Sequence, residues 1–397
     1  MHKKRQKLST YERRGVSSQK EDVHKATSSL DKGLFPGAFC KILPDVLGGS
    51  PSHCNILHPD TAGTKASLAY LAWRTTGNLG HLRGIPVDAL VMNVDDVGCV
   101  GAVQGILVDQ TISRNSFQIK DEIKEIIESA EQFCAMLRVW RINCHFASGE
   151  TASVPDLVRT FDVGTSVAVR MKRKDVIDAS RVVPGDIIVG FSSTGQARWE
   201  AEQNSGIGSN GLTNARHETL APFYRKFTQT YAPEMSRDLV YRGKYRLEDR
   251  LPEDRSFTIA GALLSPTRTY LPLIKMILEA VPRRYIHGII HCSGGGQTKI
   301  RKFGRSGNRY VKYRPFPVPA VFKMIQEVSK LSWREMYEVF NMGWRLEMVV
   351  PDMKVANDIR KIAMDECDIS AKVVGAVEEE DGPNQVIIET PSGQEKY

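Results

Sequence analysis

Paired C-x-x-C spacing is absent from the seven cysteines, an odd number that cannot close into a full set of disulfides. Neither a zinc signature nor a disulfide framework follows, and a reducing cytoplasm is the expected compartment. No stretch approaches the roughly 18 uninterrupted apolar residues of a membrane span, so no membrane partner is expected. The opening Met1-His-Lys-Lys-Arg-Gln-Lys7 lacks an apolar core and does not read as a secretory signal. Helix-turn-helix, zinc-finger and RNP signatures are missing, as is any short-period repeat.

The net charge of +8 invites a nucleic-acid reading, but its location argues otherwise. Residues 1–25 carry eight Lys and Arg against three acids, which leaves the remaining chain almost balanced. A basic tail on a balanced body does not make a phosphate-tracking groove, and no nucleic-acid partner is expected. The 397 residues, with 41% hydrophobic and 25% charged content, suit two domains or one large one with ample core.

Residues 57–65, Leu-His-Pro-Asp60-Thr-Ala-Gly63-Thr64-Lys65, carry the most information. A short apolar run (Asn55-Ile56-Leu57) leads into an acid, a glycine, a hydroxyl and a lysine. Phosphate handling asks for these groups: the acid holds Mg²⁺, glycine lets backbone N–H groups approach oxygens, and lysine neutralises charge. The spacing is not that of a Walker loop. Alone, the segment reads equally well as a polar turn after a strand.

Periodicity organises the rest. Ala89–Val94 reads as a buried strand delivering Asp95 and Asp96 to its end. Residues 119–138 show apolar positions at helical spacing. Strands are expected near 142–147, 163–171 and 186–191, the last introduced by Pro184-Gly185. The glycine-rich polar stretch 195–211 reads as a linker. Beyond it come helices near 212–227, 270–280, 319–328, 332–340 and 352–367, strands at 286–291 and 345–350, and closing strands. The division expected is a polar tail (1–30), an N-terminal domain (31–192), a linker with an insertion (193–211) and a C-terminal domain (212–397). The fold class is α+β, two α/β domains with helices covering the sheets.

Four segments share one design, in which an apolar run ends and Gly with an acid or hydroxyl follows: Asp60–Lys65, Asp95–Asp96, Gly149–Thr151 and Gly294–Gly296. If the strand ends converge, Asp60, Asp96 and Glu150 gather on one rim. Three such carboxylates repel unless a cation joins them, which points to Mg²⁺ carrying nucleotide phosphates. Taken singly, each acid reads as a solvated turn or helix cap.

These segments resemble the aminoimidazole ribonucleotide synthetase (phosphoribosylformylglycinamidine cyclo-ligase) family. Asp60-Thr-Ala-Gly-Thr-Lys65 resembles its D-G-x-G-T-K motif. Asp95-Asp96 through Gly101-Ala102 resembles N-D-x-x-x-x-G-A, and Ser148-Gly-Glu-Thr-Ala152 resembles G-G-E-T-A. Further along, Leu264-Ser-Pro-Thr-Arg-Thr-Tyr270 is similar to L-x-P-T-R-x-Y, and His291-Cys-Ser-Gly-Gly-Gly296 to H-x-[TS]-G-G-G. Glu335-Met-Tyr337 with Phe340-Asn-Met-Gly343 is similar to E-M-Y-x-x-F-N-x-G. The order is kept from about residue 11 to about 390.

The resemblance implies ATP-dependent closure of the imidazole ring of formylglycinamidine ribonucleotide, in purine biosynthesis, with ATP and Mg²⁺ as cofactors. It implies Lys65 and Asp96 as catalytic residues. Asp60, Gly63, Thr64, Lys65, Asp96, Glu150, Thr151 and Lys32 are implied at the ATP phosphates, and Asp60, Asp96 and Glu150 as metal ligands. Ser209, Asn210, Gly211, Ser293, Gly294, Gly295 and Gly296 are implied at the substrate. A homodimer is implied too, its N-terminal sheets associating across the two-fold axis.

Departures from the pattern are Thr61 and Ser148 in place of glycines, Gln297-Thr298-Lys299 after the triple glycine, and an insertion over 197–208. No histidine precedes Ser209; His217 is the nearest imidazole and is expected to be an ordinary helix residue, while Lys299 and Arg301 are expected to compensate at a phosphate. Selenophosphate synthetase would need a reactive cysteine, for which Cys40 is the candidate. A non-catalytic ATP-binding paralogue is the alternative from another class.

Overall fold

The structure is a computed structural model that describes residues 12–16 and 21–397. Most of the basic tail therefore lies outside the described residues. After helix α1 (Glu21–Thr27), strand β1 (Leu43–Pro44) pairs antiparallel with β2 (His53–Thr61). Strand β2 continues through Asp60 and Thr61, and a three-residue turn then starts helix α2 (Lys65–Thr76). The first half continues with α3 (Gly80–Cys99), β3 (Ile106–Arg114), α4 (Ile123–Val139), β4 (Cys144–Ser153) and β5 (Phe161–Lys172). Its sheet has the order β1-β2-β5-β3-β4, with β3 and β4 parallel across the α4 crossover.

The strand expected at Ala89–Val94 is part of α3, so Asp95 and Asp96 lie in a helix and not at a strand end. The reason is its environment. Helix α3 packs against β2 and β5 on one side and against the second half of the chain on the other, and every residue from Asp88 to Cys99 is buried. An enveloped helix needs no polar face, so its sequence shows the unbroken apolar run of a buried strand. Helix α4 keeps the expected stripe, with Ile126, Ala130, Phe133, Cys134 and Leu137 buried, although it begins at Ile123.

The second sheet begins with β6 (Ile187–Ser192) after the Gly185 turn. Helices α5 (Leu212–Thr219), α6 (Ile259–Leu264) and α7 (Leu271–Ala280) precede β7 (Gly288–His291) and β8 (Asn308–Lys312). Then come α8 (Ala320–Ser329), α9 (Trp333–Val339), β9 (Trp344–Val350), α10 (Met353–Cys367) and the closing strands β10 (Ala371–Glu379), β11 (Gln385–Thr390) and β12 (Gly393–Lys396). Their order is β12-β11-β8-β10-β6-β9-β7. The molecule is thus a mixed α/β fold with two sheets, which change over between Lys172 and Ile187.

Residues 197–208 fold as a clasp over the 262–269 segment. Glu200 takes a forked ion pair from Arg268, and the Trp199 indole N–H donates to the Thr269 carbonyl (3.2 Å). Asn204 Nδ2 donates to the Pro266 carbonyl (2.8 Å) and Ser205 Oγ to that of Ala262 (2.6 Å).

Candidate functional site

Leaving β2, the chain exposes Asp60, Thr61, Gly63 and Thr64 before turning into α2. Gly63 adopts φ +63°, a left-handed value that lets the turn close tightly. Thr64 Oγ1 lies 2.6 Å from Thr213 Oγ1 at the start of α5, so the turn touches the second half of the chain. Lys65 behaves differently from expectation. It is fully buried, its Nζ donates to Asp88 Oδ1 (2.9 Å) and the Ser265 carbonyl (2.7 Å), and it does not reach the open turn. Burial pulls the ammonium's pKa down and Asp88 offsets part of that.

Helix α3 presents three buried acids to the second half of the chain. Asp88 Oδ1 accepts from the Thr267 N–H (2.8 Å) and hydroxyl (2.5 Å). Asp95, two turns on, accepts from the Thr269 hydroxyl (2.6 Å) and the Tyr270 N–H. The 264–270 motif is therefore a strap held along α3 by two carboxylates. Asp96 Oδ1 accepts from His291 Nδ1 (2.7 Å), and its Oδ2 faces His58 Nε2 at 3.5 Å. Burial alone would raise the Asp96 pKa; the bond from His291 and the positive charge of Lys299 help to outweigh it, and the carboxyl is held below its ordinary range.

The two loops expected at the substrate approach each other. Ser209 Oγ lies 3.3 Å from Thr267 Oγ1, and a Cβ on Gly294 would lie 3.9 Å from Asn210 Nδ2. Gly294, Gly295 and Gly296 all have positive φ (46°, 102° and 49°), and the N–H groups of Gly294 and Gly295 find no acceptor among the described residues. Such a row of unpaired amides is suited to an anion. Helix α9 and its C-cap Phe340 explain two of the glycines: a Cβ on Gly296 would meet the carbonyl oxygens of Tyr337 (2.5 Å) and Phe340 (2.6 Å), and one on Gly211 would run into the Phe340 ring. Asn341 bonds Ser193 and Gly206, so the 335–343 motif is a scaffold for both loops.

The three acids expected around one metal do not come together. Strands β2 and β4 stand three strand spacings apart, roughly 14 Å. Asp60 aligns with Thr165, Gln110 and Gly149, whereas Glu150 aligns with Thr111, Gly164 and Thr61. Adjacent rows point to opposite faces, so Asp60 and Glu150 diverge. Asp96 has both oxygens facing histidines. Among the described residues no group of three His, Cys, Asp or Glu could hold a metal ion. Thr151 is half-buried on edge strand β4, and Lys32 is exposed in the loop before β1. His217 is buried, and burial drives its pKa far down, as befits a core residue.

Four participants lay outside the candidate residues: His58, Thr213, Thr267 and His291. Strand alternation could have found His58, which shares a face with Asp60. Thr267 and His291 stand in the 264–270 and 291–296 segments already singled out, whereas Thr213 carries no signal in the sequence, because its partner Thr64 comes from far along the chain.

A fold of two sheets with a polar seam between them defines the class first. The chain resembles AaThiL, solved in complex with AMPPCP and TMP (TM-score 0.54, 14% identity, 95% of each chain covered). It also resembles the hydrogenase maturation protein HypE of E. coli (TM-score 0.51, 15% identity, 79% and 78% covered). Both likenesses concern the fold alone. No family model matches the chain. Curated relatives are decisive: it is 30% identical over 358 residues to a phosphoribosylformylglycinamidine cyclo-ligase of Thermococcus kodakarensis, covering 86% of this chain and 88% of that one. A Methanococcus vannielii protein of the same name is 29% identical over 326 residues (82% and 78% covered). The chain belongs to the phosphoribosylformylglycinamidine cyclo-ligase family.

Proposed function

We propose that this enzyme uses ATP to close formylglycinamidine ribonucleotide into aminoimidazole ribonucleotide in de novo purine biosynthesis. The observation that carries the reading, beside family membership, is the meeting of the 60–65 turn with the start of α5 and of Asn210 with the glycine loop. An amide oxygen is a poor leaving group until it carries phosphate. ATP phosphorylates the formamide oxygen, the amidine-side nitrogen attacks that carbon, and phosphate leaves. The protein's part is positioning and charge stabilisation.

In this reading Gly63, Thr64 and Thr213 face the ATP phosphates, with Lys32 and Thr151 as further contacts. Ser209 to Gly211 and Ser293 to Gly296 hold the ribonucleotide. Lys299, whose ammonium stands 4.6 Å over the Phe39 ring, adds the positive charge. Mg²⁺ keeps waters and phosphate oxygens as most of its ligands and needs only one or two carboxylates. The exposed Asp60 fits that role alone; the ion would neutralise phosphate charge.

A homodimer is part of the proposal. Leu57, Ala168 and Leu107 stand side by side across β2, β5 and β3, and both leucines are exposed (69% and 52%). An apolar row on an open sheet face suits a second copy. We place the enzyme in the cytoplasm, which suits seven free, buried thiols. Cys40 does not support the selenophosphate reading: it is buried, and burial with the nearby Asp96 charge pushes its thiol pKa up.

The test is incubation of the purified protein with formylglycinamidine ribonucleotide and Mg-ATP. ADP release that requires the ribonucleotide supports the reading. Bound ATP without turnover supports a binding module instead.

A further inference from the structure

Arg345 is 2% exposed in β9, and among the described residues no carboxylate lies within ion-pair distance of it. A buried guanidinium without a carboxylate is costly, so its neighbours matter. It lies over the Tyr270 ring (5.5 Å to the centroid) and donates through Nη2 to the Arg268 carbonyl. Its Nε–H points at His291 Nε2, 3.0 Å away.

A guanidinium can only donate. His291 Nε2 must therefore offer its lone pair, which leaves the ring proton of the neutral imidazole on Nδ1, directed at Asp96 Oδ1 (2.7 Å). With Oδ1 so engaged, Asp96 turns Oδ2 toward His58 Nε2 (3.5 Å). The other His58 nitrogen is oriented as well. Asn93 spends its amide N–H groups on the Ala89 carbonyl and Thr165, so its oxygen faces His58 Nδ1 (3.0 Å). His58 is 20% exposed and stands two residues before Asp60, on the strand that delivers the phosphate-handling turn.

We propose that Arg345 is a positioning residue for the ring-closing reaction: it locks His291 in the Nδ1–H tautomer, which fixes Asp96 and through it the orientation of His58 beside the 60–65 turn. Arg345 thus reaches the first sheet from the second through two side chains. The kinetic part of this inference rests on the cyclo-ligase reading; the tautomer does not.

The experiment is long-range ¹H–¹⁵N NMR of the histidine rings in the unliganded, full-length protein, with His291 assigned by the signals lost in His291→Gln. Wild type should show His291 protonated on Nδ1 and bare on Nε2. Arg345→Met should let the Nε2–H tautomer gain population and lower kcat by about tenfold or more, with KM for both substrates nearly unchanged. Arg345→Lys, which also only donates, should restore the tautomer and much of kcat. A wild-type His291 protonated on Nε2 overturns the proposal even if no variant folds. So does an Arg345→Met protein with tautomer and kcat both unaltered. A correct tautomer in a protein that fails to turn over would count against the cyclo-ligase reading alone.

Discussion

Lys65 Nζ and Asp88 Oδ1 lie 2.9 Å apart with both side chains fully buried, one at the first residue of α2 and the other within α3. This pair ties the 60–65 turn to the 264–270 strap, because Ser265 and Thr267 complete its hydrogen bonds. Asp88 Oδ2 has no partner among the described residues, so the balance is already tight.

Lys65→Met should therefore act first on stability. Removing one partner of a buried ion pair typically costs about 3–5 kcal/mol, because the charge left behind is unpaired. Thermal unfolding should show that loss, and Lys65→Met/Asp88→Asn should recover part of it. A single variant that melts with wild type would mean the pair is not buried as described.

The glycine loop offers a paired test. Gly296→Ala brings a Cβ to 2.5 Å from the Tyr337 oxygen at φ +49° and should cost about 1–3 kcal/mol from overpacking alone. Gly294→Ala meets nothing nearer than Asn210 at 3.9 Å and pays chiefly the left-handed backbone cost, about 1–2 kcal/mol. Its methyl group stands at the loop mouth, so KM for the ribonucleotide should rise about tenfold, the worth of one charge-assisted hydrogen bond. Denaturant melts beside steady-state kinetics separate the two effects.

Lys299→Ala should likewise raise KM for the ribonucleotide about tenfold and flatten its dependence on salt, while Lys299→Arg keeps both. An alanine variant whose KM matches that of wild type at both low and high salt would remove Lys299 from the phosphate site.

Leu57→Asp introduces a charge into the exposed row beside Ala168 and Leu107. Light scattering should find half the wild-type mass, with the circular dichroism spectrum unchanged because Leu57 is already exposed. A variant that keeps wild-type mass would place the dimer contact elsewhere.

Much of the architecture was legible where one face of an element meets solvent. Helix α4 and strand β5 show the periods of half-buried elements, and the Pro184-Gly185 turn announced β6. Helix α3 was misread because its surroundings, not its own pattern, make it apolar throughout. The order of the site segments was legible, but the contacts of Thr64 with Thr213 and of Asn210 with the glycine loop were not, because each joins residues far apart in the chain. The shared metal site was not: whether Asp60 and Glu150 converge depends on two strands inserted between theirs, β5 and β3, and on a one-residue difference in alignment that sends their side chains to opposite faces. Lys65 looked like a phosphate contact because its buried partner, Asp88, lies 23 residues further on.

The central claim is that ATP transfers phosphate to the formamide oxygen, which then leaves as part of the phosphate and not as water. Formylglycinamidine ribonucleotide carrying ¹⁸O in its formyl group, turned over with Mg-ATP, tests it directly by the isotope shift in the ³¹P spectrum of the phosphate released. The account predicts one ¹⁸O atom in each phosphate formed. Phosphate free of label, with ring-closed product present, would contradict it.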